Sequence, residues 1–162
     1  MRWFDDARHG SFTIYNLVAW HAALVPSLLL VLAAHAVLSG AGVDVSAVDR
    51  PAREAAERNV FFALAASPLI ETLLLSALIE GMRRLTARVE VIAVLSALAW
   101  GAAHAFFHPF WFFGTVWSFY VFSRGYLAWR PVSYKHAFGA AAVPHALVNA
   151  SALLLQFFAR NR

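Results

Sequence analysis

Three long stretches of this sequence contain no aspartate, glutamate, lysine or arginine, and they restrict its possible folds more than any other feature. They run from His9 to Val43, from Val91 to Ser123 and from His136 to Ala159. Because about 20 apolar residues cross the hydrocarbon core of a bilayer as a helix, each stretch is long enough to span a membrane. Only 14% of the residues are charged, against about 25% in soluble proteins. The composition excludes an ordinary water-soluble globule.

The order of apolar and polar segments predicts an all-α, polytopic transmembrane helical bundle, with residues 1–162 forming one integral-membrane domain. We expect about five spans, at residues 12–38, 60–80, 91–108, 111–129 and 137–159. Pro26 is expected to bend the first span without ending it, because membrane helices tolerate proline. Pro109 disfavours helical geometry at His108 and predicts a tight turn there. Residues 51–58 are compatible with a short surface helix.

The charged residues are expected at the ends of the spans. The thirteen basic residues are scattered between the apolar runs, a distribution typical of membrane anchors and not of a nucleic-acid-binding patch. Eight of them fall on the cytoplasmic side if the amino terminus is inside, against five on the other side, which favours that orientation in a prokaryotic cytoplasmic (inner) membrane. Arg124 is expected to extend toward lipid head groups. The sequence has no cysteine, which excludes thiolate chemistry.

Glu71 is the one charged residue near the centre of a predicted span. A carboxylate at that depth costs about 2.5–3.5 kcal/mol on insertion scales, so it requires a partner or a function. Pro68 lies three residues earlier and removes a backbone donor, which opens the helix locally. Ser67, Thr72 and Ser76 are candidate hydrogen-bonding partners around this carboxylate.

Polar side chains on two further spans complete a candidate site. His104 and His108 are four residues apart on one face of the third span, and His145 and Asn149 share a face of the fifth. A lone membrane histidine is as often an interhelical hydrogen bond as a functional group. Glu71, His104, His145 and Asn149 together favour one interior site. His21 and His35 lie about 21 Å apart along the first span, too far for one site, and are interpreted as cavity or interface residues.

Three sequence motifs carry a resemblance to a known family. Residues 67–76 read SPLIETLLLS, residues 100–104 read WGAAH and residues 145–149 read HALVN. In order and spacing they resemble the E-E-x-x-x-R, F-x-x-x-H and H-x-x-x-N motifs of the CPBP family, the CAAX proteases and bacteriocin-processing enzymes. These are glutamic-type intramembrane proteases. The resemblance covers about residues 66–150, just over half the chain.

The resemblance implies an intramembrane endopeptidase without a cofactor, acting on a membrane-embedded protein or peptide. The family's first glutamate is the catalytic one and corresponds to Glu71. Its second glutamate is replaced by Thr72, its arginine by Ser76 and its phenylalanine by Trp100. By resemblance and by chemistry, Glu71 is the expected general base, and His104 is expected to hold the attacking water. His145 and Asn149 are the expected oxyanion donors.

Other functions are compatible with the same residues. The departures at Thr72 and Ser76 fit either a divergent protease or a noncatalytic immunity or partner-binding protein of the same fold. Glu71, His104 and His145 also form a possible zinc set with an open fourth position, although no H-E-x-x-H spacing is present. Histidines on facing helices are able to ligate haem. The expected substrate is a carboxy-terminal tail, a sorting signal or a peptide precursor; the oligomeric state is left open.

Overall fold

The computed structural model describes residues 11–44, 60–107 and 109–160, and this part of the chain is helical without strands. The helices are α1 (Phe12–Gly40), α2 (Ser67–Met82) with a π-helical segment directly before it (Phe62–Ala66), α3 (Val89–Phe107), α4 (Trp111–Trp129) and α5 (Tyr134–Arg160). Four of them are long and apolar enough to cross a membrane: α1, Phe62–Met82, α3 and α5. The predicted all-α bundle is confirmed, and with α4 as the remaining helix it is compatible with about five spans. The predicted surface helix at 51–58 and the side chains of His9 and His108 lie outside the described residues.

The effects of Pro26 and Pro109 on the helix boundaries are as predicted. Helix α1 continues through Pro26 and ends at Gly40, after which Gly42 takes a positive φ of 81°. At the other predicted break, the N–H of Phe112 donates to the carbonyl of Pro109 at 3.2 Å. The third and fourth spans are therefore joined by a tight turn, which brings them together as antiparallel neighbours.

Helix α4 is the centre of the bundle and contacts each of the other four helices. Its second half is buried over nearly every residue, including Phe119, Phe122 and Tyr126. Gly125 permits the closest approach, because a Cβ at this position would lie 2.7 Å from the carbonyl oxygen of Ala140 and 2.7 Å from the hydroxyl of Tyr15. The outer helices, in contrast, leave large apolar side chains exposed. This distribution suits a bundle whose surface faces lipid tails.

The two ends of the bundle differ in charge. Phe12 at the start of α1 contacts Trp129 and His136, whereas His35 near the end of α1 contacts Phe110 in the α3–α4 turn. The end at which Phe12 contacts Trp129 and His136 also carries most of the described charged residues. We call it the cationic end and define it by Glu80, Arg83, Arg84, Arg88, Glu90, Arg124, Arg130 and Lys135.

The prediction that Arg124 extends toward lipid head groups is wrong. Arg124 is only 3% exposed, and its guanidinium group forms an ion pair with the carboxylate of Glu90 in the first turn of α3. Tyr120 donates to the other oxygen of Glu90 at 2.9 Å. The arginine stays inside because a neighbouring helix supplies the compensating charge, a partner that lies 34 residues away in sequence.

Candidate active site in the bundle interior

The predicted carboxylate and two of the predicted histidines meet inside the bundle. Oε2 of Glu71 on α2 lies 3.5 Å from Nε2 of His104 on α3 and 3.7 Å from Nε2 of His145 on α5. The three side chains are 19%, 17% and 6% exposed, respectively. One oxygen of an intramembrane carboxylate therefore faces ring nitrogens from two other helices. This convergence is the central feature of the site.

His104 has a defined tautomer when it is neutral. Its Nδ1 lies 2.9 Å from the carbonyl oxygen of Trp100, one turn earlier in α3. Because a carbonyl only accepts, Nδ1 carries a proton, and Nε2 of a neutral ring is a lone-pair acceptor. Nε2 of His104 and Oε2 of Glu71 are then two hydrogen-bond acceptors that face each other. A proton on one of them, or a donor such as water between them, is needed to make this approach favourable.

The backbone contact of His104 is not by itself a sign of function. His21 on α1 makes the same bond, from Nδ1 to the carbonyl of Leu17 at 2.8 Å, and is exposed at the bundle surface. What distinguishes His104 is the carboxylate on the far side of its ring. His21 consequently provides a matched control for the site.

His145 is held by aromatic rings of α4. Its imidazole stacks on Phe122 with ring centroids 4.9 Å apart and meets Phe119 edge-on at 5.2 Å. Phe119 in turn stacks on Trp100 at 4.8 Å. Among the residues that the structure describes, Nδ1 of His145 has no hydrogen-bond partner, although it is buried. The polar contact of this ring is therefore made through Nε2, on the side of Glu71.

Ser67 orients the carboxylate from within α2. Its hydroxyl donates to Oε1 of Glu71, one turn later in the same helix. This hydrogen bond engages the oxygen that does not face the histidines. The serine thus leaves Oε2 directed at the two rings, and its predicted role as a partner of the carboxylate is confirmed.

Asn149 contacts the backbone of the π-helical segment. Its Nδ2 donates to the carbonyl oxygen of Ala63 at 2.9 Å. The backbone N–H groups in reach of that carbonyl belong to residues 67 and 68, but Ser67 donates to Phe62 and Pro68 has no N–H. The amide of Asn149 therefore satisfies a carbonyl that proline leaves open. One N–H of the amide remains for a second acceptor.

Two of the three positions that depart from the CPBP-like motifs, Thr72 and Ser76, are buried in the bundle. Thr72 is 1% exposed and Ser76 is 3% exposed. The Ser76 hydroxyl donates to the carbonyl of Leu73 at 2.7 Å and lies 3.1 Å from the hydroxyl of Tyr134 at the start of α5. Ser76 therefore contributes to contact between α2 and α5, on the side of the cationic end.

The structure separates the remaining sequence candidates from the site. His35 packs against Phe110, and His21 lies on the outer face of α1. Sequence reasoning did not find Phe119 and Phe122, because α4 is aromatic along its whole length and nothing marks these two. Within the described ranges, no group of three metal-ligating side chains has the arrangement of a metal site. The zinc alternative stays a prediction.

Comparison with known proteins identified no relative of this chain. No protein-family model, no curated protein and no solved structure matches the chain.

Proposed function

We propose that this protein is an intramembrane endopeptidase in which Glu71 activates water to hydrolyse a peptide bond. The observation that carries the proposal is the convergence of Glu71, His104 and His145 from three helices on one buried oxygen atom. Such groups are expensive in a membrane and are retained there mainly for function. The order and spacing of the three motifs, similar to the CPBP family, support the same activity.

The proposed reaction begins with a water molecule beside Oε2 of Glu71. Nε2 of neutral His104 accepts one hydrogen bond from this water, and Glu71 removes the other proton as the oxygen attacks the peptide carbonyl. Nε2–H of His145 and the second N–H of Asn149 donate to the developing oxyanion. Glu71 then returns its proton to the amine that leaves, which restores the starting carboxylate.

The depth of the site suggests where cleavage takes place. Glu71 precedes Glu80 at the cationic end by nine residues, about 13 Å along the helix, and follows Phe62 at the opposite end of the span by the same number of residues. The scissile bond would therefore lie near the middle of the membrane.

The substrate class follows from this location. A peptide bond within the bilayer belongs to a membrane-embedded segment, so we propose a carboxy-terminal tail, a sorting signal or a peptide precursor as the substrate. Mass spectrometry of membrane peptides from cells with and without active protein identifies it. New termini within apolar segments are expected only with the wild-type protein.

The decisive variants are Glu71→Gln and His104→Gln, with His21→Gln as the matched control. Glu71→Gln removes the base and is expected to abolish cleavage of the identified peptide while the protein remains folded. His104→Gln should lower the rate about 100-fold, the lower range for a positioned acid–base group. His21→Gln removes the equivalent backbone bond outside the site and should retain wild-type activity. Normal cleavage by Glu71→Gln would refute the mechanism.

The second candidate function is a noncatalytic immunity or partner-binding protein. It is favoured by the hydroxyl residues Thr72 and Ser76, where the CPBP-like motif has a carboxylate and an arginine. A cellular phenotype that survives Glu71→Ala unchanged would select this function.

A further inference from the structure

A largely apolar pocket with arginine side chains in its wall lies at the cationic end, about 18 Å along α2 from Glu71. Its volume is about 270 Å³, and it opens between the α2–α3 loop and the end of α4. Arg83 and Arg130 line it together with apolar side chains, among them Ile92 and Leu127. The pocket therefore offers cationic donors and an apolar wall in one cavity, well separated from the candidate active site.

The two arginines are held in place by a shared carboxylate. Nη1 of Arg83 donates to Oε2 of Glu80 at 2.9 Å, and Nε of Arg130 donates to Oε1 of the same carboxylate at 2.6 Å. Tyr126 also donates to Oε1, at 2.7 Å. This hydrogen bonding to Glu80 raises the pKa of Arg130 above its ordinary value. Two guanidinium groups on one carboxylate leave a net positive charge with unused N–H donors.

The surroundings of the pocket strengthen its positive field. The cationic end carries six basic and two acidic residues, an excess of four positive charges. A guanidinium binds phosphate with two parallel hydrogen bonds, which an ammonium group cannot do. The ligand chemistry that fits is therefore a phosphate ester.

The depth of the pocket along the bundle indicates that the phosphate ester belongs to a lipid head group. Glu71 lies near the middle of the Phe62–Met82 span, and half of a hydrocarbon core is about 15 Å thick. The pocket is thus at the level of lipid head groups. Val89 at the start of α3 lines the pocket and is 41% exposed, so it offers an apolar contact to an acyl chain.

We infer that the pocket between Arg83 and Arg130 binds the head group of an anionic phospholipid, with Glu80 as the residue that positions both guanidinium groups. Basic pockets between membrane helices commonly serve this purpose. The bound lipid would fasten the α2–α3 loop to the end of α4 from the membrane side. This inference does not depend on protease activity.

The test is lipid binding to the full-length protein in a neutral detergent, measured by native mass spectrometry. Phosphatidylglycerol is the probe, with phosphatidylcholine and inorganic phosphate as separate arms. Saturable binding of phosphatidylglycerol is expected, at least about tenfold tighter than phosphatidylcholine. Equal binding of the two lipids, or occupancy by inorganic phosphate that displaces the lipid, would overturn the assignment.

Matched variants separate the pocket from general charge. Arg83→Gln combined with Arg130→Gln removes two positive charges from the pocket and should weaken binding about tenfold or more, the effect of losing a charge-assisted hydrogen bond. Arg84→Gln combined with Lys135→Gln removes the same charge at the same end and should leave binding unchanged. Equal losses in the two double variants would refute a specific site.

A further variant guards against misfolding of the arginine double variant, which leaves Glu80 without its two guanidinium partners. Ala87→Trp fills the pocket and leaves all three charged residues in place. It should abolish the preference for phosphatidylglycerol without lowering the melting temperature in lipid-free detergent. Unaltered binding by Ala87→Trp would show that the lipid does not enter the pocket.

Discussion

The contact between Asn149 and the π-helical segment gives a prediction that links backbone chemistry to stability. The carbonyl of Ala63 accepts from Nδ2 of Asn149 at 2.9 Å, because Pro68 has no N–H to offer it. Asn149→Leu keeps the branched shape and the number of side-chain heavy atoms and removes this donor. The carbonyl is then left unpaired away from water, at a cost of about 1–3 kcal/mol. Since measured interhelical hydrogen bonds in membranes lie at about 0.6–2 kcal/mol, we expect a loss of about 1–2 kcal/mol.

A second substitution tests the reason for this loss. Pro68→Ala restores a backbone N–H five residues after Ala63, the donor position of a π-helix. In the Asn149→Leu background it should recover most of the lost stability, so the double-mutant cycle should give a coupling of about 1 kcal/mol. Ser151→Ala is the matched control, because Ser151 bonds Trp20 at 3.1 Å elsewhere on α5. Its effect should add to that of Pro68→Ala without coupling.

The assay is reversible unfolding in mixed micelles of neutral detergent and dodecyl sulfate, followed by fluorescence of the six tryptophans. Additive effects of Pro68→Ala and Asn149→Leu would refute the account of Ala63. Peptidase activity separates the structural and catalytic roles of Asn149. If its second N–H binds the oxyanion, the double variant regains stability and stays inactive. Recovery of activity together with stability would assign Asn149 a purely structural role.

Three further outcomes are expected. Ser67→Ala should lower the cleavage rate about tenfold, because Glu71 loses the hydrogen bond to Oε1 that directs its other oxygen; unchanged initial rates would contradict this. Gly125→Ala should destabilise the bundle by about 1–3 kcal/mol in the same unfolding assay, since its Cβ would lie 2.7 Å from the Ala140 carbonyl and the Tyr15 hydroxyl. Cleavage should persist in excess EDTA, whereas activity lost in EDTA and restored by zinc would establish the metal-dependent alternative.

The candidate site was predictable from sequence to a definite extent. Glu71 was identifiable because a charge within an apolar run is costly wherever the run folds. His104 and His145 were identifiable as one-sided positions on helices, and the structure places both within 3.7 Å of Glu71. The bond from Asn149 to Ala63 was not predictable. It depends on which turn of α5 lies beside the π-helical segment, and that register is set by packing.

For Arg124, the prediction made from the sequence was wrong. By position near the end of a span, an arginine is expected to reach toward head groups, and no local feature of the sequence indicates otherwise. The structure pairs it with Glu90 on α3, so the charge of the buried arginine is compensated by an exposed carboxylate of the protein. A rule based on position along one helix fails when the partner is supplied by another helix.

The sequence by itself determined that this is a helical membrane protein and approximately where its spans begin and end. These properties follow from local hydropathy and from prolines such as Pro26 and Pro109, whose effects do not depend on the rest of the chain. The tertiary structure alone decided that α4 is the central helix, that Phe119 and Phe122 hold His145, and that Arg83 and Arg130 share Glu80. Each of these arrangements depends on the rotation and depth of one helix against another, which side-chain packing fixes and hydropathy does not encode.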